Sequence, residues 1–301
     1  MKRTTQFRRL LDSKEILVLP GVHDALGARI AERVGFSAVT CGGYGATATL
    51  LGAPDTSLLS LSEMADNYAR LGEATSLPLF ADGDTGFGNV TNVARTVRAY
   101  ERAGVAGLFI EDQVFPKRCG HMAGKDVIPA EEMVAKLKSA LDARVDGELV
   151  ICARTDAAAV LGLDEAIRRA QLYRAVGVDM IFVEAPADIE SMRRICREID
   201  GPQLANMIEG GKSPFLTAAE LEAVGFAAVA FPVGATYAVA QALTDYLGTL
   251  AREGTTTSIA AKLPDFETFN QLVGLSELRR REAQYQDFAR ALTQKPAKKA
   301  G

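Results

Sequence analysis

The chain has 301 residues, 48% of them hydrophobic, 24% charged and 7% aromatic, a balance that supports a full buried core and excludes a disordered polymer. Its formal charge of −4 comes without a basic block in the body of the chain, so the surface that displaces counterions from nucleic acid is missing. No apolar run approaches the ~20 residues of a membrane span, and the start Met1-Lys2-Arg3-Thr4-Thr5-Gln6-Phe7 lacks the apolar stretch of a signal peptide. A cytoplasmic location, with neither nucleic acid nor membrane as partner, is the expectation.

Eight short apolar segments are predicted as strands, at 16–19, 38–40, 79–81, 107–110, 149–153, 180–183, 203–205 and 228–231. Four of them follow the same punctuation: Val34-Gly35-Phe36, Ala103-Gly104-Val105, Val176-Gly177-Val178 and Val224-Gly225-Phe226. Each reads as a helix stopped by a left-handed glycine and followed by a strand. Between the strands, Val93, Val97, Tyr100 and Gly104 fall on one helical stripe, and Asp164 is expected to cap a helix that carries Ile167, Ala170 and Arg174. Two helices are predicted after the last strand, at 238–253 and 266–291, the second with Phe269, Leu272, Val273 and Leu278 as its apolar residues. Repeated strand–helix units of this number predict an α/β fold, a (β/α)8 TIM barrel, as one domain over 1–293 with its C-terminal helices. The Lys-rich stretch 294–301 is expected to be a disordered tail.

The four cysteines, Cys41, Cys119, Cys152 and Cys196, stand far apart with no CxxC pair, and free thiols are expected. Cys152 and Cys196 sit in apolar patterns and read as core residues. Cys119 differs, because Lys117, Arg118 and His121 surround it in a stretch too long to be a mere connection after the fourth strand. Such cations lower a thiol's pKa and attract an anionic substrate.

A barrel of this kind places its chemistry at the C-terminal ends of the strands. Strand three runs into Asp82-Gly83-Asp84-Thr85-Gly86, strand four into Glu111-Asp112-Gln113, strand five into Arg154-Thr155-Asp156, strand six into Glu184-Ala185-Pro186 and strand seven into Asn206. Asp82, Asp84 and Glu111 together would repel one another without a cation, and hard oxygen donors favour Mg²⁺, with Mn²⁺ as a substitute, over zinc. Asp156 could equally cap the helix that follows its strand, a reading less suited to Asp84, whose neighbouring glycines keep its backbone open. Arg154, ending an apolar strand, is suited to grip a substrate carboxylate in bidentate fashion or to pair internally with Glu184. His23 reads as a structural histidine, and Tyr44 lies in the Gly-rich turn Cys41-Gly42-Gly43-Tyr44-Gly45, whose amides can bind a carboxylate.

These residues resemble the isocitrate lyase and phosphoenolpyruvate mutase superfamily along nearly the whole chain. The likeness rests on Asp-Gly-Asp-Thr-Gly at 82–86, Glu-Asp-Gln at 111–113, Lys-Arg-Cys-Gly-His at 117–121, Ala-Arg-Thr-Asp at 153–156 and Asn-Met-Ile-Glu-Gly-Gly-Lys at 206–212. It implies a barrel whose C-terminal helix swaps between paired subunits, in a homo-oligomer built as a dimer of dimers. It also implies Asp84 and Asp82 at a Mg²⁺ ion and Glu111 and Asp55 in its water shell. Gly42, Gly43, Tyr44, Gly120, Asn206 and Tyr237 would surround a small carboxylate substrate, with Lys117, Cys119, His121, Arg154 and Glu184 as catalytic groups.

Mutases and phosphonate hydrolases of the superfamily lack the Cys-containing pentapeptide, so Cys119 implies the lyase branch, where that thiol protonates the enolate-like product. Methylisocitrate lyases carry Arg-Pro after the histidine and an arginine for a third carboxylate, where this chain has Met122-Ala123 and Tyr237. Gly-His-Met at 120–122 and Glu-Gly-Gly-Lys-Ser-Pro at 209–214 are similar instead to 2,3-dimethylmalate and plant 2-alkylmalate lyases. The expected reaction is therefore cleavage of a 2-hydroxy dicarboxylic acid. Methylisocitrate cleavage and oxaloacetate hydrolysis or decarboxylation are the alternatives. Gly42 departs from the serine that many members carry.

Overall fold

The four punctuating glycines act as predicted: Gly35, Gly104, Gly177 and Gly225 adopt φ of 105°, 82°, 104° and 117°, in the left-handed region where a Cβ is disfavoured. In the computed structural model, which describes residues 1–120 and 124–294, the strands that these stops launch are all parallel. They are β1 (Leu17–Pro20), β2 (Val39–Cys41), β3 (Leu79–Asp82), β4 (Gly107–Glu111), β5 (Val150–Thr155), β6 (Met180–Val183), β7 (Leu204–Asn206) and β8 (Ala228–Phe231).

Two sheets, ordered β1-β8-β7 and β2-β3-β4-β5-β6, meet through the bridges Gly21–Thr40 and Ile181–Gln203, which link β1 to β2 and β6 to β7. The sequence expectation of an α/β barrel is thus met, with several strands extending one or two residues further toward their C-terminal ends than periodicity alone indicates. Ladder bonds to neighbouring strands carry β3, β4 and β5 onto Asp82, Glu111 and Arg154–Thr155. A reading by apolar periodicity stops where the residues turn polar.

Alternation along the strands sorts the core into two layers. Val150, Cys152, Met180, Phe182, Leu204, Ala228 and Ala230 belong to an inner cluster with Leu17, Leu19, Phe80 and Phe109. Ile151, Ala153, Ile181 and Val183 face outward onto the helices. Phe7 and Leu11 of the first helix, Arg3–Leu11, join the inner cluster, and Phe7 stacks on Phe80 with ring centroids 5.6 Å apart. The N-terminal end of the barrel is thereby plugged with apolar side chains, leaving the opposite end for polar chemistry.

Three helix expectations need correction. Asp164 sits in the first turn of Leu163–Val176, whose N-cap position is Gly162, because Gly162 at φ 93° turns the chain before the aspartate. The helix expected over 266–291 is two helices, Phe266–Leu272 and Leu275–Thr293, divided at Gly274 with φ 88°. The first helix after β8 begins at Gly234 rather than 238 and runs to Glu253. The chain forms two compact units, Met1–Gln241 and a helical unit from Ala242 onward. Of the predicted tail, 295–301 lies outside the described residues. Among the described residues no helix is long and apolar enough to cross a membrane.

Candidate active site

The end of β3 is fixed by two buried tyrosines. Tyr68 and Tyr100, packed edge to face 4.8 Å apart, donate to the Asp82 carbonyl at 2.9 and 3.0 Å, and Tyr68 accepts the Asp82 N–H at 2.9 Å. The Asp82 carboxylate then accepts two backbone amides, Gly43 and Asp84, each at 2.8 Å. Asp82 thus ties the Gly-rich turn after β2 to its own loop. That turn is the N-terminus of the helix Gly43–Leu51, with Gly42 at the N-cap position. A Cβ on Gly43 would lie 3.3 Å from both Asp82 Oδ2 and Lys117 Nζ, so the missing side chain is what lets these charges approach. Asp84 adopts φ 49°, a left-handed conformation that aspartate tolerates better than most residues. It caps no helix, since the next helix, Val90–Arg102, is capped by Asn89.

Lys117, with only 3% of its side chain exposed, places Nζ 2.9 Å from Asp55 Oδ2 and 2.8 Å from Asp84 Oδ1. The second contact is an ion pair without hydrogen-bond alignment. Burial opposes the Lys117 charge, but Asp84, Asp82, Glu111 and Asp55 outweigh it and raise its pKa well above the ordinary lysine value. Burial likewise pushes Asp84 up to about 6 despite Lys117, and raises Glu111 well above the carboxylate range despite Arg154 and Lys117. Among the described residues, neither oxygen of Glu111 has a hydrogen-bond partner.

Arg154 organises a second group. It forms a fork on Asp156, Nε to Oδ2 at 2.9 Å and Nη2 to Oδ1 at 3.2 Å, and lies 3.3 Å from Glu111 and 3.6 Å from Glu184. Its guanidinium carbon is 4.9 Å from the centroid of Phe182 and 5.6 Å from that of Phe109, within the range of cation–π attraction. Asp156 stands before the short helix Ala157–Val160 but makes no side-chain cap bond. Its role is to hold Arg154 and Lys125, and burial, which would raise its pKa, is outweighed by these cations, which bring it to about 2. Asn206 donates to both Glu184 oxygens, at 3.3 and 3.1 Å. The internal partner that the sequence suggested for Arg154, Glu184, is therefore secondary to Asp156.

One cavity gathers most of the predicted residues: Gly42, Gly43, Tyr44, Asp55, Asp82, Lys117, Cys119, Gly120, Arg154, Glu184 and Asn206 line it. Asp84 and Glu111 lie just behind this lining, in contact with Lys117 and Arg154 respectively. Tyr237, 41% exposed, is also outside it and reaches the site through Tyr44, with hydroxyls 3.4 Å apart and rings edge to face. The hydrogen bond that Tyr237 donates to Tyr44, with partial burial, raises its phenol to about 12. Cys119 is half-buried at the cavity, and a Cβ on Gly120 would meet Glu184 Oε1 at 2.0 Å and Arg154 Nη2 at 2.5 Å. Gly120 thus lies directly over the Arg154 group. His121 lies outside the described residues.

His23 is structural as expected: it is 5% exposed, with Nδ1 3.3 Å from Thr236 Oγ1. Cys152 is buried, whereas Cys196 is only half-buried on a smaller cluster beside β7 and β8, because its helix Ile189–Glu198 lies on the outside of the barrel. Sequence reasoning passed over the aromatic floor of Phe80, Phe109 and Phe182 and over Lys125, and it gave Asp112 and Gln113 no separate role. The phenylalanines were detectable as inward positions of predicted strands. Lys125 carries no local signal, since its partner Asp156 is on another strand end.

The phosphoenolpyruvate phosphomutase family model matches residues 7–251. Among curated proteins, the chain is 45% identical over 285 residues to a 2,3-dimethylmalate lyase of Eubacterium barkeri, covering 95% of this chain and 99% of that one. It is 44% identical to the chloroplastic carboxyvinyl-carboxyphosphonate phosphorylmutase of Arabidopsis thaliana, covering 96% and 86%. To a 2-methylisocitrate lyase of Aeropyrum pernix it is 41% identical, covering 92% and 89%. Among solved structures, oxaloacetate acetylhydrolase with 3,3-difluorooxalacetate aligns with TM-score 0.90 and 33% identity, covering 95% of this chain and 97% of that one. Phosphonopyruvate hydrolase with oxalate and Mg²⁺ aligns with TM-score 0.86 and 30% identity, covering 95% and 100%. With the barrel, the acid-rich strand ends and the Cys119 loop, these matches establish that the chain belongs to the phosphoenolpyruvate phosphomutase family and is a carbon–carbon lyase of the isocitrate lyase/phosphoenolpyruvate mutase superfamily.

Proposed function

We propose that this lyase uses Mg²⁺ to cleave the C2–C3 bond of a small 2-hydroxy dicarboxylic acid, a 2-alkylmalate such as 2,3-dimethylmalate. The products are pyruvate or another 2-oxo acid and a short carboxylic acid. The observation that carries this reading is that one cavity presents the Cys119 thiol and the Arg154 guanidinium together with an acid-rich wall. Just behind that wall lie buried oxygens of Asp84 and Glu111 that receive no hydrogen bond among the described residues.

Those oxygens are the test of whether a cation fits. Among the described residues, no three His, Cys, Asp or Glu side chains converge as a cage for a metal. Mg²⁺ does not need one, because it keeps several waters and binds proteins through one or two carboxylates. Asp84, with Asp82 beside it, would hold the ion, and Asp55 and Glu111 would accept from its waters. The oxygens of Asp84 and Glu111 that receive no hydrogen bond among the described residues suit that division. When bound, the ion supplies chelation of the 2-hydroxyl and adjacent carboxylate and lowers the cost of forming an alkoxide. Mn²⁺ shares the preference for hard oxygen donors and is expected to substitute.

The residues of the chain supply the rest. As the C2–C3 bond breaks, its electron pair passes to C3 and the 2-hydroxyl gives up its proton to solvent at the cavity, becoming the carbonyl of the 2-oxo acid; a proton returned from solvent restores the Cys119 thiol after turnover. The departing fragment gains charge on its carboxylate, which Arg154 is placed to stabilise from a dry, aromatic-floored position. Cys119 transfers its S–H proton to C3, completing the short acid. Glu184, held by Asn206, orients the Arg154 side of the cavity. Tyr44 contributes a hydroxyl to the cavity, and Tyr237 behind it gives no cation for a third carboxylate, which favours a dicarboxylate over methylisocitrate.

The 0.90 TM-score to oxaloacetate acetylhydrolase favours oxaloacetate hydrolysis or decarboxylation as the second reading. A panel of 2,3-dimethylmalate, 2-methylmalate, methylisocitrate and oxaloacetate, scored for product release with Mg²⁺ and with EDTA, separates them. The expected result is EDTA-sensitive release of a 2-oxo acid, fastest from an alkylmalate. Methylisocitrate as the best substrate, or turnover of oxaloacetate alone, would overturn the substrate reading. We also propose a homo-oligomer, a dimer of dimers, supported by exposed apolar residues on the C-terminal helices, among them Leu247, Phe266, Tyr285 and Phe288.

A further inference from the structure

The pentapeptide does not stay in place by itself. Its stretch leaves β4 and returns through a short pairing, Val114 N–H to the Asp126 carbonyl at 2.9 Å and a bridge between Gln113 and Val127. Within it, the Gln113 side chain clamps the Arg118 backbone from both sides, donating to its carbonyl at 2.9 Å and accepting its N–H at 3.1 Å. These bonds hold the base of the loop. What holds its inner edge over the cavity is Lys125, a lysine that the chemistry above does not use. Its side chain is 2% exposed, and Nζ donates to Asp156 Oδ1 at 2.7 Å and to the Gly120 carbonyl.

We propose that Lys125 is a positioning residue that latches the Cys119 loop onto Asp156 and at the same time sets how tightly Asp156 holds Arg154. Asp156 is itself anchored: its N–H donates to Asp112 Oδ1 at 2.9 Å. Asp112 Oδ2 accepts from Thr155, Tyr173 and Arg169 at 2.8, 2.9 and 3.2 Å. The oxygen that Lys125 grips, Oδ1, is the one that also receives Arg154 Nη2 at 3.2 Å. Two cations therefore share one carboxylate oxygen. With Lys125 present, part of the Asp156 charge is neutralised by the ammonium, and Asp156 competes less with an incoming carboxylate for the guanidinium. Without it, Asp156 faces Arg154 alone and competes with the substrate, while Gly120 and its neighbour Cys119 lose their inner tether. The same interaction thus orders the proton donor and tunes the anion site, which are separated by 35 residues in the chain but joined through Lys125 and Asp156.

The inference rests on the roles proposed above for Arg154 and Cys119, so its test includes an arm that needs no turnover. In the full-length enzyme, Lys125→Met removes the ammonium, Lys125→Gln keeps a neutral donor should the first variant fold poorly, and Lys125→Arg keeps charge and donors. Hydrogen exchange at the amides of residues 118–120, the affinity for oxalate, and kcat and KM on the preferred 2-hydroxy dicarboxylate are the readouts. For Lys125→Met, or Lys125→Gln in its place, exchange at 118–120 is expected to rise about tenfold or more while the barrel strands stay protected. Oxalate affinity should fall and KM rise by about tenfold, with kcat reduced as well and Lys125→Arg recovering much of each. Unchanged exchange at 118–120, or a rise spread evenly over the barrel, would overturn the latch. So would kinetic constants within about twofold of wild type. A wild-type enzyme inert toward every 2-hydroxy dicarboxylate would instead overturn the proposed function, with the exchange arm still deciding the latch.

Discussion

Two buried charged groups share the barrel mouth, and they are built on opposite principles. Around Lys117, four carboxylates (Asp55, Asp82, Asp84 and Glu111) act on one ammonium, and among the described residues oxygens of Asp84 and Glu111 lack hydrogen bonds. Around Arg154, apart from Glu111 at its edge, the carboxylates are held by hydrogen bonds: Asp156 takes the fork and Lys125, and Glu184 takes Asn206. A buried carboxylate without a partner is costly, and one with two cations is held rigid. On the proposed function, the first group is the site that an added cation would stabilise. The second would then be the preorganised receptor for an anion, with the guanidinium set against Phe182 and Phe109.

That contrast is open to direct attack. The largest effect is expected from Arg154→Met, which leaves Asp156, Glu111 and Glu184 without their shared cation; breaking a buried pair in this way costs about 3–5 kcal/mol. Thermal unfolding should show a loss on the order of 10 °C for a barrel of this size. A variant as stable as wild type would mean that the Arg154 group is not the tightly balanced one. Next in size is the response to metal. Saturating Mg²⁺ should raise the melting temperature of the wild-type protein, with a gain of about 2.7 kcal/mol at a hundredfold excess over Kd. EDTA should reverse the rise, and Asp84→Asn should abolish most of it. An equal rise in Asp84→Asn would move the cation away from the Lys117 group.

Much of this architecture can be read from the chain, because the signals are local. Left-handed glycines at Gly35, Gly104, Gly177 and Gly225 mark where helices end, and strand periodicity puts Asp82, Glu111, Arg154 and Glu184 at the same end of the barrel. The superfamily resemblance then supplies which of these carry chemistry. What is hidden is what depends on partners far away in sequence. Lys125 and Asp156 meet across 31 residues, and Asp112 collects Thr155, Arg169 and Tyr173 from beyond β4. No window of sequence contains both halves of such a pair. Likewise Asp156 looks like a helix cap by position, and only the closeness of two cations shows that its carboxylate is engaged elsewhere. Helix patterning through Gly274 fails for a different reason: apolar residues on both sides suggest continuity, while the left-handed glycine divides the segment.

The role proposed for Cys119 joins the two groups: its proton would end the reaction that the acid-rich side begins and the Arg154 side sustains. The most direct test is turnover of 2,3-dimethylmalate in D₂O with Mg²⁺, comparing the wild-type enzyme with Cys119→Ala. Wild type should release pyruvate together with propionate carrying one deuterium at the former C3. Cys119→Ala should retain the fold but lose about 10²- to 10⁴-fold in kcat, the range expected for a positioned acid. Release of pyruvate by Cys119→Ala at the wild-type rate, or no carbon–carbon cleavage by the wild type, would contradict the account.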